Sequence, residues 1–216
     1  KAMAISGLSV VGRDHYGVFP LRGKMINARD KATTIRGLEQ IANNEEMSNL
    51  KKILGLEQGK KYTSAEDIAS SLRYGQIMLM TDQDVDGSHI KGLCINWFAA
   101  FWPELLGLNF ITAMITPIVK VKRKTKERVF YSIGQYKEWG ASAEGSTGGW
   151  NTKYYKGLGT STTNEAKEYF RQLKQVHYYV QDEKNEAIDM AFAKDRADDR
   201  KMWMKDYSIS DVLDSS

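Results

Sequence analysis

Residues 82–87 read Asp-Gln-Asp-Val-Asp-Gly and directly follow the apolar run Gln76-Ile-Met-Leu-Met-Thr81. No other junction constrains the fold as much. A short apolar run bounded by turn residues is a buried strand. Carboxylates at alternate positions after it repel one another, which raises their pKa values or calls for a cation between them. Hard oxygen ligands select Mg²⁺ or Ca²⁺. In α/β folds, ligands sit at the carboxyl ends of strands. Two other readings fit less well. Counting Asp82 as position 1 of an EF-hand loop puts Gly87 at the required position 6. Position 12 is then Leu93 where a bidentate Glu is needed, and the preceding segment is a strand rather than a helix. An acidic surface turn without a ligand is the common fate of Asp-Gly stretches, but not directly after a buried run.

The chain of 216 residues has ample material for a core, as one large domain or two small ones. Its net charge of +4 is too mild to imply nucleic acid alone. The distribution says more: acids gather at 82–86, and cations gather at 120–128 and around Arg22 and Lys24. A single cysteine excludes a disulfide framework and a thiolate zinc site, and suits a reducing compartment. Cys94 is expected in a helix core. No apolar run is long enough to span a bilayer, and no signal peptide opens the chain. The first residue is Lys rather than Met, so the chain reads as part of a longer protein.

Pattern gives the organisation. Residues 1–8 form a short helix closed by Gly7, and Tyr16 to Leu21 reads as a strand. Two helices occupy 30–54, with Ile35, Leu38, Ile41, Met47, Leu50, Ile53 and Leu54 at helical spacing. Ser64-Ala-Glu-Asp67 caps a helix to Leu72. After the strand at 76–81 and the acidic loop, a long apolar helix runs from Ser88 to about Leu106. Residues 111–121 alternate as one strand. Residues 122–131 read as a hairpin with a basic tip, more often a solvated turn than a DNA contact, and 141–149 as a Ser/Gly-rich loop. A strand at 151–155, a tight Gly157-Leu-Gly159 turn and a helix capped within 160–165 and running to about Leu173 follow. A charged amphipathic helix spans 182–204, and 207–216 reads as a linker. This order predicts a parallel sheet flanked by helices.

The segment Asp82-Gln-Asp-Val-Asp-Gly-Ser-His-Ile90 resembles the Toprim signature. Pro20-Leu-Arg-Gly-Lys24 with Asn27, and Tyr155-Lys-Gly-Leu-Gly-Thr160, resemble motifs of the breakage–reunion half of type IIA DNA topoisomerases. The wording of Thr116-Pro-Ile-Val-Lys-Val121, Lys156-Gly-Leu-Gly-Thr-Ser-Thr162 and Asp198-Asp-Arg-Lys201 is similar to the eukaryotic topoisomerase II branch. The resemblance runs from residue 1 to about 205. It implies an α/β fold: a Toprim (Rossmann-like), mainly parallel sheet flanked by helices, with a C-terminal α+β extension. The implied parts are a metal-binding core at 1–118, the extension at 119–205 and a linker at 206–216 toward a winged-helix domain.

The roles that follow are those the resemblance implies. Asp82 and Asp84 coordinate Mg²⁺, for which Mn²⁺ or Ca²⁺ can substitute, and Asp86 tunes or extends that site. His89, one turn into the next helix, joins Asp82 and Asp84 as a catalytic group. Arg22, Lys24, Asn27, Lys156 and Gly157 contact duplex DNA. A catalytic Glu, in a Glu-Gly-Asp-Ser-Ala segment, precedes the first helix in this family. The nucleophilic tyrosine belongs to a winged-helix domain and completes the site in trans within a homodimer. ATP binds elsewhere in the full-length enzyme, which acts in the nucleus. Tyr154, Tyr155, Tyr178 and Tyr179 read as strand and packing residues. The alternatives are a Toprim domain of a primase or nuclease, or a non-catalytic DNA-docking scaffold. Neither primases nor nucleases carry the Pro-Leu-Arg-Gly-Lys and Lys-Gly-Leu-Gly-Thr motifs.

Overall fold

The computed structural model describes residues 2–155, 157–178 and 185–205. Before the sheet come five helices: α1 (Ala2–Val11), α2 (Ala28–Lys31), α3 (Ile35–Ala42), α4 (Glu45–Leu54) and α5 (Ala65–Ser71). Their starts follow from capping chemistry. Asn27, Thr34, Asn44 and Ser64 each accept a bond from a backbone N–H of the helix they open. Gly55, at φ 81°, ends α4 in the left-handed conformation that a side chain disfavours.

Strand β1 (Ile77–Leu79) leads to α6 (Val85–Phe101), then α7 (Glu104–Gly107) and β2 (Ile111–Met114). The hairpin β3 (Val119–Arg123) and β4 (Lys126–Phe130) precedes α8 (Ile133–Ala141) and β5 (Asn151–Tyr154). The chain closes with α9 (Thr163–Arg171), β6 (Gln175–His177), α10 (Glu186–Phe192) and α11 (Ala197–Lys205). Two three-stranded sheets result, in the orders β1-β2-β6 and β4-β3-β5. In the first, β1 and β2 are parallel and β2 and β6 antiparallel, so the sheet is mixed. The second is wholly antiparallel. Strand β6 lies far beyond residue 118 in sequence yet completes the first sheet, so the chain's two halves interlock.

The main core lies between α6 and the helices before the sheet. Trp97, Phe98, Trp102 and Phe110 pack edge-on or tilted, with centroids 5.1–6.0 Å apart. The one polar atom of Trp102 is satisfied: its Nε1 donates to the Glu57 carbonyl at 2.8 Å. Cys94 is buried here, and burial pushes its thiol up to about 12, which makes it unreactive. A second cluster joins Met3 of α1 to Ala166, Tyr169 and Phe170 of α9. A third places Val119, Val121 and Phe130 over Tyr136, Trp139 and Trp150.

Several sequence expectations are corrected. The first helix is not closed by Gly7 but runs through it to Val11. Residues 16–21 form no strand and pair with none among the described residues; Pro20 lacks the N–H a ladder needs. The run 111–121 is two strands in different sheets, with Pro117 at the break. The long helix starts at Val85 rather than Ser88, because Asp84 caps it, and stops at Phe101 before Pro103. The charged segment expected as one helix over 182–204 breaks at residues 193–196 into α10 and α11. Helix α8 and strand β6 had no sequence forecast. Tyr179, Lys156 and residues 206–216 fall outside the described residues.

Candidate active site

The site is built on the turn from β1 into α6. Gln83 anchors it, donating from Nε2 to the Met114 carbonyl at the end of β2 at 3.1 Å. Asp84 is the N-cap of α6: its Oδ1 accepts from the Gly87 N–H at 2.7 Å. The helix N-terminus thus holds one carboxylate in a fixed orientation, where the helix dipole favours negative charge. Gly87 is buried, and a Cβ there would overlap the Asp82 carbonyl oxygen and reach within 3.1 Å of Thr81 Oγ1. Glycine is what lets the first turn of α6 lie on the backbone of the strand end.

Asp82 is held from elsewhere in sequence. Its Oδ1 accepts from the Leu158 N–H at 2.6 Å, 76 residues away. A Cβ on Gly157 would sit 2.7 Å from the Asp82 carboxylate, so any side chain there would push that carboxylate from its place. The Gly-Leu-Gly turn, a short 3₁₀ segment at Leu158–Thr160, therefore seats directly on the first acid. The turn is itself braced. Glu165 accepts from the Tyr155 hydroxyl at 2.6 Å, from Lys153 Nζ at 2.9 Å and from the Thr162 N–H at 2.8 Å. Partial burial opposes ionisation of Glu165, but these donors outweigh it and hold the carboxyl down at about 2. Burial and the neighbouring Glu165 push the Tyr155 hydroxyl up, which suits a packing residue and not a nucleophile.

This bracing gives a pH signature. The folded-state pKa of Glu165 lies below its ordinary value of 4.5. Its contribution is therefore complete above that value and fades as pH falls from about 4.5 toward 2. Replacing Glu165 with Gln is expected to cost about 2 kcal/mol at neutral pH. The gap should narrow clearly at pH 3, as read from urea midpoints of both proteins. A gap that does not change with pH would remove the carboxylate's charge from the account.

Asp86 lies at the surface and pairs with Lys24 Nζ at 2.7 Å. The hydrogen bond and charge of Lys24, with a smaller contribution from His89, hold Asp86 below the usual carboxylate range. So exposed a pair adds little stability, but it places the Arg22-Gly23-Lys24 segment against the acidic loop. Gly23, at φ +91°, turns the chain between the two cations. Arg22 and His89 are exposed.

The three acids thus take three different partners. Among the described residues, no three His, Cys, Asp or Glu side chains converge closely enough to hold a metal ion. All three line one cleft of about 1610 Å³, together with Thr81, Lys91 and Leu158. Thr81 Oγ1 is buried there with no hydrogen-bond partner. The donors present are hard oxygens, the kind that Mg²⁺ requires, and Asp82 and Asp84 each spend one oxygen on a backbone N–H. The donor set fits such a cation in kind.

Asn27 has a different place from the DNA contact expected of it. Its Oδ1 accepts from the Arg29 N–H at 3.1 Å and from Asn96 Nδ2 at 2.8 Å, and its Nδ2 donates to the Phe192 carbonyl at 2.8 Å. The side chain is committed inside the molecule. Two groups escaped the sequence reading. One is Thr81. The other is Lys91, half-buried in the cleft wall, where burial pushes its pKa down and the Asp84 charge pulls it back up. Its place on α6, seven residues past the Asp84 cap, was the available signal.

Comparison with known proteins shows the family. The Toprim domain family matches residues 1–107, and the C-terminal associated domain of Toprim matches residues 114–216. DNA topoisomerase 2 of Arabidopsis thaliana is 50% identical over 220 residues, covering 99% of this chain and 14% of the relative. DNA topoisomerase 2-alpha of Homo sapiens is 50% identical over 210 residues, covering 96% of this chain and 13% of the relative. The crystal structure of the Plasmodium falciparum topoisomerase II DNA-binding, cleavage and re-ligation domain superposes with a TM-score of 0.85 at 42% identity. It covers 98% of this chain and 28% of that one. The chain therefore spans about one-seventh of the length of the curated relatives it matches. Three motifs far apart in sequence meet at one acidic turn, in a mixed sheet flanked by helices, and half the residues match across nearly the whole length: the chain belongs to the DNA topoisomerase 2 family, carrying its Toprim domain and the C-terminal domain associated with it.

Proposed function

We propose that this chain is the metal-binding part of an ATP-dependent type II DNA topoisomerase, which cleaves both strands of one duplex, passes a second duplex through and reseals the first. The observation that carries the reading is the convergence on the 82–87 turn: Leu158 N–H on Asp82, and Lys24 on Asp86. The high identity to DNA topoisomerase 2 proteins favours this reading over a primase or nuclease.

Asp82 and Asp84 would hold Mg²⁺, or Mn²⁺ or Ca²⁺ in its place, and Asp86 would adjust their charge from the rim. When bound, the cation offsets the negative charge that develops on the phosphate and the leaving oxygen. The protein's own groups do the positioning. Arg22 and Lys24 contact neighbouring phosphates, Arg22 with the planar fork that suits them. Release of Lys24 from Asp86 on DNA arrival exchanges one anion for another. Gly157 lets backbone come close to the acid it covers, and Lys156 is a further candidate contact with DNA. His89 stands beside the phosphate from the second turn of α6. The attacking tyrosine comes from a winged-helix domain of the other subunit in a homodimer, and ATP binds elsewhere in the full-length protein. The eukaryotic sources of the relatives support a nuclear site of action.

The test is covalent trapping. Full-length protein is mixed with supercoiled plasmid and Mg²⁺, denatured rapidly, and scored for protein on 5′ DNA ends, with a parallel sample in chelator. Adducts that require the divalent ion are expected. Absence of adducts in both samples would shift the reading to a scaffold or another Toprim chemistry.

A further inference from the structure

Residues 120–128 hold six cations and one acid, a local charge of +5 against +4 for the whole chain, so the remainder is slightly acidic. These residues are the β3–β4 hairpin, on the sheet that does not carry the acidic turn. Its register sets Arg123 directly opposite Lys126, and like charges facing across a ladder are destabilising. The nearby acids do not relieve this. Glu127 is taken by Lys120 at 3.1 Å, and Glu144 is shared between Arg128 at 3.2 Å and Lys126 at 4.0 Å. Arg123 stacks over Trp150 and donates to Thr147 Oγ1 at 2.7 Å. Lys122 and Lys124 are exposed, and among the described residues neither has an acid within ion-pair distance.

The missing counter-charge identifies the class of partner. A protein interface needs apolar or aromatic anchors at its centre, and here the rings of Tyr136, Trp139 and Trp150 pack under the hairpin in the third core cluster. The tip offers lysines and one threonine. The register sets Lys122 opposite Glu127 and Lys126 opposite Arg123, so Lys122 and Lys126 lie on opposite faces of the hairpin and flank Lys124 in the turn.

We propose that the tip of the β3–β4 hairpin is a second contact with the phosphate backbone of duplex DNA, made by Lys122, Lys124 and Lys126, away from the acidic turn. It rests on the reading that the protein works on duplex DNA. The contact is sequence-independent and adds reach along the duplex.

The test compares intact protein with a Lys122→Gln/Lys124→Gln/Lys126→Gln variant, by fluorescence anisotropy on a labelled duplex of about 30 base pairs. It is run without divalent metal over a range of salt. Each phosphate that the variant no longer engages should lower the slope of log affinity against log salt by about 0.9. The variant is therefore expected to show a slope shallower by about 2–3 and an affinity at least about tenfold weaker near 0.1 M salt. The matching Lys→Arg triple variant should bind like the parent, and both should melt with it, since all three positions are exposed. An unchanged slope in the Gln variant would overturn the hairpin contact alone and leave a solvated turn or an acidic protein partner. Absence of duplex binding by the parent would overturn both the hairpin contact and the DNA reading.

Discussion

Replacing Asp84 with Asn is expected to lower metal-dependent covalent DNA cleavage at least about a hundredfold, with stability held within about 1 kcal/mol. The two effects separate because Asp84 has two jobs. It caps α6 through the Gly87 N–H, and in the proposed mechanism it is a ligand for the cation. Asn caps a helix about as well as Asp but carries no charge and binds hard cations poorly. Alanine would lose both jobs, costing about 1 kcal/mol of helix stability in addition, so its effect on cleavage would be harder to interpret. Duplex affinity should stay within about twofold, since the phosphate-binding cations are elsewhere. Adduct yield and a thermal melt measure the pair of outcomes. Full cleavage by the Asn variant would leave Asp84 as a cap and nothing more.

The second large effect is structural and runs against propensity. Gly→Ala in a helix usually gains up to about 1 kcal/mol. At Gly87 the sign should reverse, because the new methyl group would overlap the Asp82 carbonyl oxygen, a backbone atom that cannot rotate away. Gly87→Ala is expected to cost about 3 kcal/mol and lower the melting midpoint by roughly 6–12 °C. Either the first turn of α6 unwinds or the strand end shifts, and both misplace Asp82 and Asp84. A variant that melts at or above the parent's temperature would show that the turn has room the geometry denies it.

The acidic turn and its partners were legible because each motif is contiguous and chemically unusual. What sequence could not supply was their convergence: that the Gly-Leu-Gly turn seats on Asp82, or that Lys24 reaches Asp86, depends on contacts 76 and 62 residues apart. The boundaries missed have local causes. Asp84 was read as the middle acid of a loop running to Gly87, although Asp is among the residues that favour the position just before a helix. Alternation through 111–121 concealed Pro117, which ends one strand and frees the chain to enter another sheet. Residues 16–21 have strand-like composition without an available partner, since pairing is a property of neighbours and not of the segment. Asn27 was read from its motif as a contact to substrate, whereas its three internal bonds required knowing what α6 and α10 bring to it.

Those three bonds make Asn27 a mechanical joint. One runs to Arg29 of α2, five residues after Lys24; one to Asn96 on α6, the helix that the acidic turn leads into; one to the end of α10, where Arg29–Asp189 and Asp30–Lys194 bonds add a second and third rivet. A pull on the C-terminal helices therefore arrives at the cationic segment and at the acid-bearing helix together. The cationic segment and the acid-bearing helix are thus tied to one common support as well as to each other through Lys24 and Asp86.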